Sequence, residues 1–485
     1  MYYGGYVVAA TGVLQLVPVI TGVIFGEWSA VLDFAIGMAL TMTVGFALIL
    51  AGTRGRLNWA VGMGAVAVSW FVAMLGSAVP YYLSGHYLSY LDACFDVMSG
   101  FTTTGLVLLQ DLDHVSNAIN MWRHLLTFVG GQGMVVMALT LLTRSNPGSA
   151  MLYIGEAKDE RLLPNVLQTA RAIWVISLAF LGAGTLTLWI LGMLAGLSPV
   201  TAFLEGLWVY MAAWSTGGFA PHTQNILYYH NASYEIATLV FCIIGSFNFG
   251  IHYAAWSGRL RELYKNIEIQ AFSFTMISLT ALASLAFGKT LYVNVVDLFR
   301  RGVYHVVSAH TTTGFMTVYP AEVSGFWPLP VGTVLIIAML LGGSATSTAG
   351  GIKAFRVGIV FKSLVLEVRR LLAPQGAIIV EKYHYHRERT LEERTARLAL
   401  IVAVLYLATF GVLTLANHLA GYRLDMAAFE AASVSGNVGL SSGLTSASMP
   451  WYLKVFFIIG MWAGRMEFMT LLVTVGLVLS LVRGR

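Results

Sequence analysis

The sequence is poor in charge. Of its 485 residues only 11% are charged, while 57% are hydrophobic. A soluble globular chain carries roughly 25% charged residues, so an ordinary soluble domain is excluded. Cysteine is almost absent. Cys94 and Cys242 are the two present; they lie far apart in or beside apolar segments and form no CxxC pair. They read as small core residues rather than as a disulfide or metal site. There is no HExxH motif and no pair of carboxylates within one apolar run, which leaves a membrane-embedded hydrolase without its usual groups. A cleavable signal is not expected either: the first apolar stretch lacks a basic leader and runs on into a second.

What the chain has instead is a series of long apolar runs. They lie near 4–26, 31–51, 59–80, 119–143, 172–195, 235–257, 270–287, 330–364, 398–418 and 451–482. Runs of about 20 residues cross a hydrocarbon core of about 30 Å, so about ten crossings are expected. The basic residues then sort to one side. Arg54 and Arg56 follow the second run, Arg144, Lys158, Arg161 and Arg171 the fourth, and Arg259, Arg261 and Lys265 the sixth; the stretch from Arg369 to Arg397 is dense in Lys and Arg, and Arg483 and Arg485 end the chain. The opposite loops carry Glu27, Asp92, Asp96, Asp111 and Asp113. The positive-inside tendency places both termini in the cytoplasm. The net charge of +5 is then a matter of topology and calls for no nucleic-acid partner.

Four outer loops are too long for turns. Each holds a short stretch unable to cross: Tyr90–Phe101, Thr201–Trp214, Val295–His310 and Met426–Ser435. Each ends in a polar segment containing glycine and is followed by a full crossing. The unit of span, half-helix, polar loop and span therefore occurs four times, after two extra spans. The expected division is 1–55 for the two extra helices, then repeats at 56–145, 146–260, 261–370 and 371–485. The fold class expected is an all-α integral membrane protein, its four membrane–pore-loop–membrane repeats grouped around a central pore.

Side by side the loops read SGFTTTGL (99–106), AWSTGGFA (213–220), AHTTTGFM (309–316) and VSGNVGLS (434–441). The aligned glycines are Gly105, Gly218, Gly314 and Gly439. Upstream of them stand Thr103 and Thr104, Thr216 and Gly217, Thr312 and Thr313, and Asn437 and Val438. In the second loop Gly217 sits beside Gly218, which leaves its register open. Irregular backbone at membrane depth is tolerated only where it is buried or lines water. Glycine permits such backbone and close approach. A ring of carbonyl oxygens can replace the hydration shell of a cation, and each short helix would aim its partially negative C-terminus at the ion. The outer loops show no arginine ring such as an anion pore would need. One such loop is a common polar turn. Four in equivalent places point to a filter for a monovalent cation.

At these residues the chain resembles the Trk/Ktr/HKT superfamily of cation transporters. The resemblance rests on the four loops, on GGSATSTAGGIKAFR (342–356) and on GMWAGRMEFMTLL (460–472). The two extra N-terminal spans are more similar to the Trk branch. The resemblance implies potassium (K+) as the transported ion, held at the filter residues, with no organic cofactor in this chain. Gly105 stands where plant relatives that favour sodium have serine. It also implies a homodimer in membrane lipid and a separate cytoplasmic ring of RCK-type, nucleotide-binding regulatory subunits. A sodium- or proton-coupled symporter on the same scaffold is the alternative.

Two features lie below the loops. The run 330–364 is too long for one crossing and is interrupted by small and hydroxyl residues, among them Gly343, Ser344, Thr346, Thr348, Gly350 and Gly351. Such a run loosens a helix or serves close helix packing. The family resemblance favours a gating loop under the filter. Lys353 follows Ile352 rather than a glycine, so the segment is no nucleotide P-loop. Arg465 lies in the last apolar run, where charge is costly and marks function. The resemblance puts it at the gate; an ion pair with a carboxylate such as Glu467 is the competing reading. His222 and His310 read as packing or capping residues. His384 and His386 belong to a charged loop (about 366–397) expected to be solvated surface and a contact for the regulator.

Overall fold

The computed structural model describes all residues except 54–58, 110, 135, 137–165, 289–290, 292–293, 326, 375–376, 378 and 484–485. Arg54, Arg56, Arg144, Lys158, Arg161 and Arg485 therefore lie outside the described residues, as does the expected boundary between the first two repeats.

The described chain is almost entirely helical. It opens with α1 (Tyr2–Leu14) and α2 (Leu16–Phe25), which together form one span, and continues with α3 (Trp28–Ala51) and α4 (Trp59–Leu83). Four units follow in space. The first has the short helix α5 (Tyr90–Phe101) and then α6 (Asn117–Gln132). The second has α7 (Val166–Leu194), the short α8 (Pro199–Trp214), α9 (Ala232–Gly245) and α10 (Phe249–Trp256). The third has α11 (Ile267–Gly288), the short α12 (Tyr304–His310), α13 (Leu329–Leu340) and α14 (Ala354–Leu372). The fourth has α15 (Glu393–Leu419), the short α16 (Leu424–Gly436), α17 (Trp451–Arg465) and α18 (Met469–Val482).

Local chemistry sets where these helices begin. Ser89 accepts from the Asp92 N–H at the start of α5, and Ser198 from Thr201 at the start of α8. Asn231 caps α9 through Ser233 and Tyr234, and Ser116 caps α6 through Ile119. Side-chain oxygens here satisfy donors that the first helical turn leaves open. The long spans turn apolar side chains outward. On α3, Leu32, Ile36, Leu40 and Val44 are exposed at four-residue intervals, one helix face. A soluble protein would bury that stripe; lipid solvates it.

The short helices stand inside a ring closed by the second helix of each unit. α6 packs on α8, α9 on α12, α13 on α16, and α17 on α5. The fourth unit thus closes onto the first.

Two expectations change, the straightness of two runs and the character of the charged loop, while the break expected in 330–364 is present. The sixth and tenth apolar runs are bent rather than straight: α9 and α10 meet at 98°, and the last run bends by 112° between α17 and α18. The first bend is made by Asn248, whose side chain accepts from Gly250 N–H at 2.6 Å. The second is made by Glu467 and Phe468, both at positive φ (51° and 63°). The run 330–364 is split, with residues 341–353 irregular between α13 and α14. The charged loop is not plain solvated surface. Lys382–Tyr385 (β1) and Arg387–Thr390 (β2) form an antiparallel hairpin. Its Tyr383 and Tyr385 are buried with Ile267, Ile359 and Ala399, because their period-two spacing puts both on one face.

Candidate functional site

All four short helices end alike. The Thr104 N–H donates to Ser99 O at 2.8 Å, and Thr103 N–H to Gly100 O at 3.0 Å. The counterparts are Gly217 to Ala212 (2.8 Å) with Thr216 to Ala213 (3.1 Å), and Thr313 to Ser308 (2.9 Å) with Thr312 to Ala309 (3.0 Å). The fourth helix has Val438 to Ser433 (2.9 Å) with Asn437 to Val434 (3.3 Å). This is the Schellman pattern, which needs a left-handed residue past the helix end. Thr103, Thr216, Thr312 and Asn437 take it, at φ 55°, 49°, 56° and 53°. For threonine that conformation costs about 1–2 kcal/mol, and such strain persists where packing overdetermines it. All four side chains are fully buried.

Two residues further on stand Gly105, Gly218, Gly314 and Gly439, at φ 88°, 65°, 84° and 92°. A Cβ on Gly105 would lie 2.6 Å from the carbonyl oxygen of Gly217. On Gly218 it would strike the carbonyl oxygen of Thr313, on Gly314 that of Val438, and on Gly439 that of Thr104. Each glycine thus faces the carbonyl just before the glycine of the next loop, and the fourth loop returns to the first. Four backbone segments enclose one axis. The same geometry makes Gly218, not Gly217, the counterpart of Gly105.

Behind the loops runs a second regularity. In three of the four loops the residue nine before the glycine accepts the N–H of the residue three after it. Asp96 Oδ1 accepts from Leu108 N–H at 2.8 Å, His305 Nε2 from Thr317 at 3.3 Å, and Glu430 Oε1 from Ser442 at 3.2 Å. The second loop has Pro221 at the donor position, which has no N–H, and there the acceptor position is Val209.

Residues 344–351 lie directly beneath. Thr348 Oγ1 is 2.9 Å from Gly245 O, 3.1 Å from Trp214 O and 3.2 Å from Thr216 Oγ1. Gly350 N–H donates to Thr312 Oγ1 at 2.8 Å, and Thr103 Oγ1 to Thr348 O at 3.4 Å. The other flank is tied by Ser344 N–H to Ser246 O (2.9 Å) and Ala345 N–H to Glu268 Oε1 (2.7 Å). Gly343 packs on Ser246, Thr346 is left-handed at φ 55°, and Gly351 stands at φ 66°. The buried Lys353 ammonium donates to Ala349 O. Arg465, at the end of α17, donates to Thr348 O at 2.5 Å, Gly130 O at 2.6 Å and Gly131 O at 3.1 Å. Glu467 is engaged by Arg356 of α14.

Asp92, counted among the outer-loop acids from the sequence, is buried here, as are other charges that the sequence reading did not single out. Asp92 pairs with Lys454 at 2.6 Å, and Glu235 takes Arg300 at 2.8 and 2.6 Å. Buried Arg123 donates to Ala220 O at 3.0 Å and covers the Phe219 ring at 4.7 Å, behind the second loop. The signal for these was a charge on a half-helix or an apolar run. His310 meets Thr275 at 2.7 Å, and His222 bridges Asp113 (2.7 Å) and Glu205 (3.1 Å). Residues 439–443 spell GLSSG, the pattern of a hydrolase nucleophile elbow. Its Ser441, however, donates to Glu430 at 2.5 Å, and no strand–turn–helix surrounds it. Among the described residues no group of three His, Cys, Asp or Glu could hold a metal.

The whole chain has known counterparts. A family model described as TrkH, cation transport protein, matches residues 32–479. An uncharacterised cation transporter of Methanocaldococcus jannaschii is 31% identical over 471 residues, 97% of this chain and 93% of that protein. The Trk system potassium uptake protein TrkH of Halomonas elongata is 28% identical, covering 94% of this chain and 93% of its own. The crystal structure of the potassium transporter TrkH from Vibrio parahaemolyticus superposes with a TM-score of 0.82 at 26% identity, over 98% of both chains.

Proposed function

This chain belongs to the TrkH family of cation transport proteins, and on that premise we propose that it takes up potassium through the ring of its four loops. The observation that carries the reading is the cyclic approach of Gly105, Gly218, Gly314 and Gly439 to the carbonyls of Gly217, Thr313, Val438 and Thr104. Backbone closed on one axis, buried and held from behind, can offer a dehydrating potassium ion a set of oxygens in place of water. Thr103, Thr216, Thr312 and Asn437 form the layer below. The short-helix ends add partial negative charge. The potassium named for the relatives from Halomonas elongata and Vibrio parahaemolyticus supports this choice of ion.

Residues 343–351 act as the gate. Their hydrogen bonds to Thr216, Thr312 and Arg465 hold them across the pathway, and conduction requires those bonds to rearrange. The chain divides into two leading helices (1–55) and four repeats (56–145, 146–260, 261–370, 371–485). It works as a homodimer in the cytoplasmic membrane with both termini inside, and a cytoplasmic nucleotide-binding ring sets the gate.

The test is flux in liposomes holding the purified chain alone, comparing potassium, rubidium, sodium and lithium with and without a proton gradient. Potassium and rubidium flux that follows the voltage supports the reading. Flux that demands a second ion would replace it with the coupled symporter.

A further inference from the structure

On the far side of the gating segment from the loops lies a cavity of about 920 Å³. Its wall includes Ala345 and Thr346 of that segment, and no residue of the four loops. Its charge is one-sided. Arg259, Arg356, Arg387, Arg389 and Arg394 line it, with Glu467 as the lining carboxylate, and Glu467 is already engaged by Arg356. Of the neighbouring carboxylates, Glu268 accepts from Ala345 N–H at 2.7 Å, and Glu262 and Glu388 are held by His384 at 3.0 and 3.2 Å. His386, which also lines the cavity, lies 3.8 Å from Glu262.

We infer that this cavity binds a small phosphate-bearing anion through Arg387, Arg394 and Arg259. Basic residues at a membrane face are ordinary when they point into water. Here they converge on a concave space between the hairpin, α14 and α15. A concave space lined mostly by one sign of charge concentrates the opposite ion. Guanidinium is the side chain suited to phosphate, because its planar fork matches two oxygens at once. The volume is that of a small-molecule site, too small for a protein domain. The hairpin builds the wall by register: Arg389 opposes Tyr383 and Arg387 opposes Tyr385, so both arginines share the face of the two buried tyrosines. Arg389 is steadied at 5.2 Å over the Tyr385 ring. Among the described residues Arg259, Arg387 and Arg394 form no ion pair. The inference stands on the charge and shape of the cavity and not on the conduction reading; absence of binding would leave that reading in place.

Inorganic pyrophosphate is the probe, titrated calorimetrically into the purified full chain in a neutral detergent. Saturable binding is expected, weakened at least tenfold in the double variant Arg387→Gln/Arg394→Gln. Binding should be unchanged in Arg369→Gln/Arg370→Gln, whose arginines lie on the exposed end of α14 and do not line the cavity. Should the first variant misfold, pyrophosphate protection of Arg387 and Arg394 from phenylglyoxal in the native chain reads the same contact. Nanodiscs of phosphatidylglycerol against phosphatidylcholine separate the sources: loss of pyrophosphate binding in phosphatidylglycerol alone assigns the site to a lipid headgroup, and retention assigns it to a soluble phosphate. No binding, equal weakening by both double variants, or protection of these arginines by polyglutamate but not by pyrophosphate overturns the inference.

Discussion

Val209 lies nine residues before Gly218 and Pro221 three residues after it, and this is the one pair of its kind with neither acceptor nor donor. In the other three loops the same two positions are joined, by Asp96 to Leu108, His305 to Thr317 and Glu430 to Ser442. Where proline removes the N–H, the partner position is apolar, so no acceptor is buried without a donor. An unsatisfied buried group costs about 1–3 kcal/mol. Asp96→Val should therefore lower stability by at least about that amount, since it orphans two donors, Leu108 N–H and the Tyr87 hydroxyl that donates to Asp96 at 3.0 Å. Val209→Asp should destabilise as well, although it adds a polar group, because Pro221 cannot donate. Thermal midpoints in one detergent check both; a neutral Val209→Asp would mean that the pairing is incidental.

A second prediction concerns the glycine ring. Gly105→Ser adds a side chain at φ 88° against the Gly217 carbonyl, so the carbonyl must move. Potassium selectivity over sodium should fall by at least about tenfold, equivalent to about 1.4 kcal/mol. Gly443→Ser is the control. Its φ is 89° and its nearest neighbour, Pro320 Cβ, is 3.9 Å away, so the backbone strain is similar but no loop carbonyl is pushed. Reversal potentials or liposome flux ratios for the two variants separate strain from selectivity. Equal selectivity in Gly105→Ser and the native chain would remove the ring from the pathway.

Much of this was legible in the sequence, and for a physical reason. Apolar runs longer than any soluble helix needs, half-length helices and recurring glycines are local signals, and in all four units the helical backbone of the short segment begins and ends within two residues of its expected bounds. The register of the second loop was not legible, because Gly217 and Gly218 are chemically identical and only the backbone angle distinguishes them. The bends after α9 and α17 were hidden inside continuous apolar runs. Asp92 looked like a loop acid because its partner, Lys454, is 362 residues away. The hairpin was masked by its charge: the alternation that buries Tyr383 and Tyr385 sits within a run of Lys, His, Arg and Glu.

A third prediction follows from His222. Burial alone would lower its pKa, but hydrogen bonds and charge from Glu205 and Asp113 outweigh that and raise it above 6.5. Burial would raise the Asp113 carboxyl, but hydrogen bonds from His222 and Thr223 together with the imidazole charge outweigh that and hold it below its ordinary 3.8. The ring also stacks on Tyr228 at 3.4 Å. A raised folded-state pKa means that the stabilisation is complete below about 6.5 and fades as pH rises through the folded value. The Asp113 contribution has the opposite sense, present above 3.8 and lost as pH falls. The outer face of the second loop should thus be most firmly tied between these limits. His222→Gln should flatten the decline in thermal midpoint above about pH 6.5 and also shrink the acid limb, because part of what holds Asp113 low leaves with the imidazole. An unchanged alkaline limb would mean that the imidazole is not charged in the folded protein.

The final prediction tests what holds the segment beneath the loops. Arg465 joins Thr348 O to Gly130 O and Gly131 O, tying residues 344–351 to the end of α6. Hydrogen bonds from a charged donor are worth about 1.5–3 kcal/mol each, though three sharing one guanidinium do not add. Losing even one such bond shifts a closed–open balance by about tenfold or more. Arg465→Gln should therefore raise potassium flux by at least that factor, with selectivity unchanged because the glycine ring is untouched. Thr348→Ala, which removes the hydroxyl within reach of Gly245 O and Trp214 O, should act in the same direction. Combined, the two should gain less than the product of their separate effects, since both release the same segment. Multiplicative effects would place Arg465 and Thr348 on independent elements, and lower flux in Arg465→Gln would make the arginine a support of the open pathway rather than a latch.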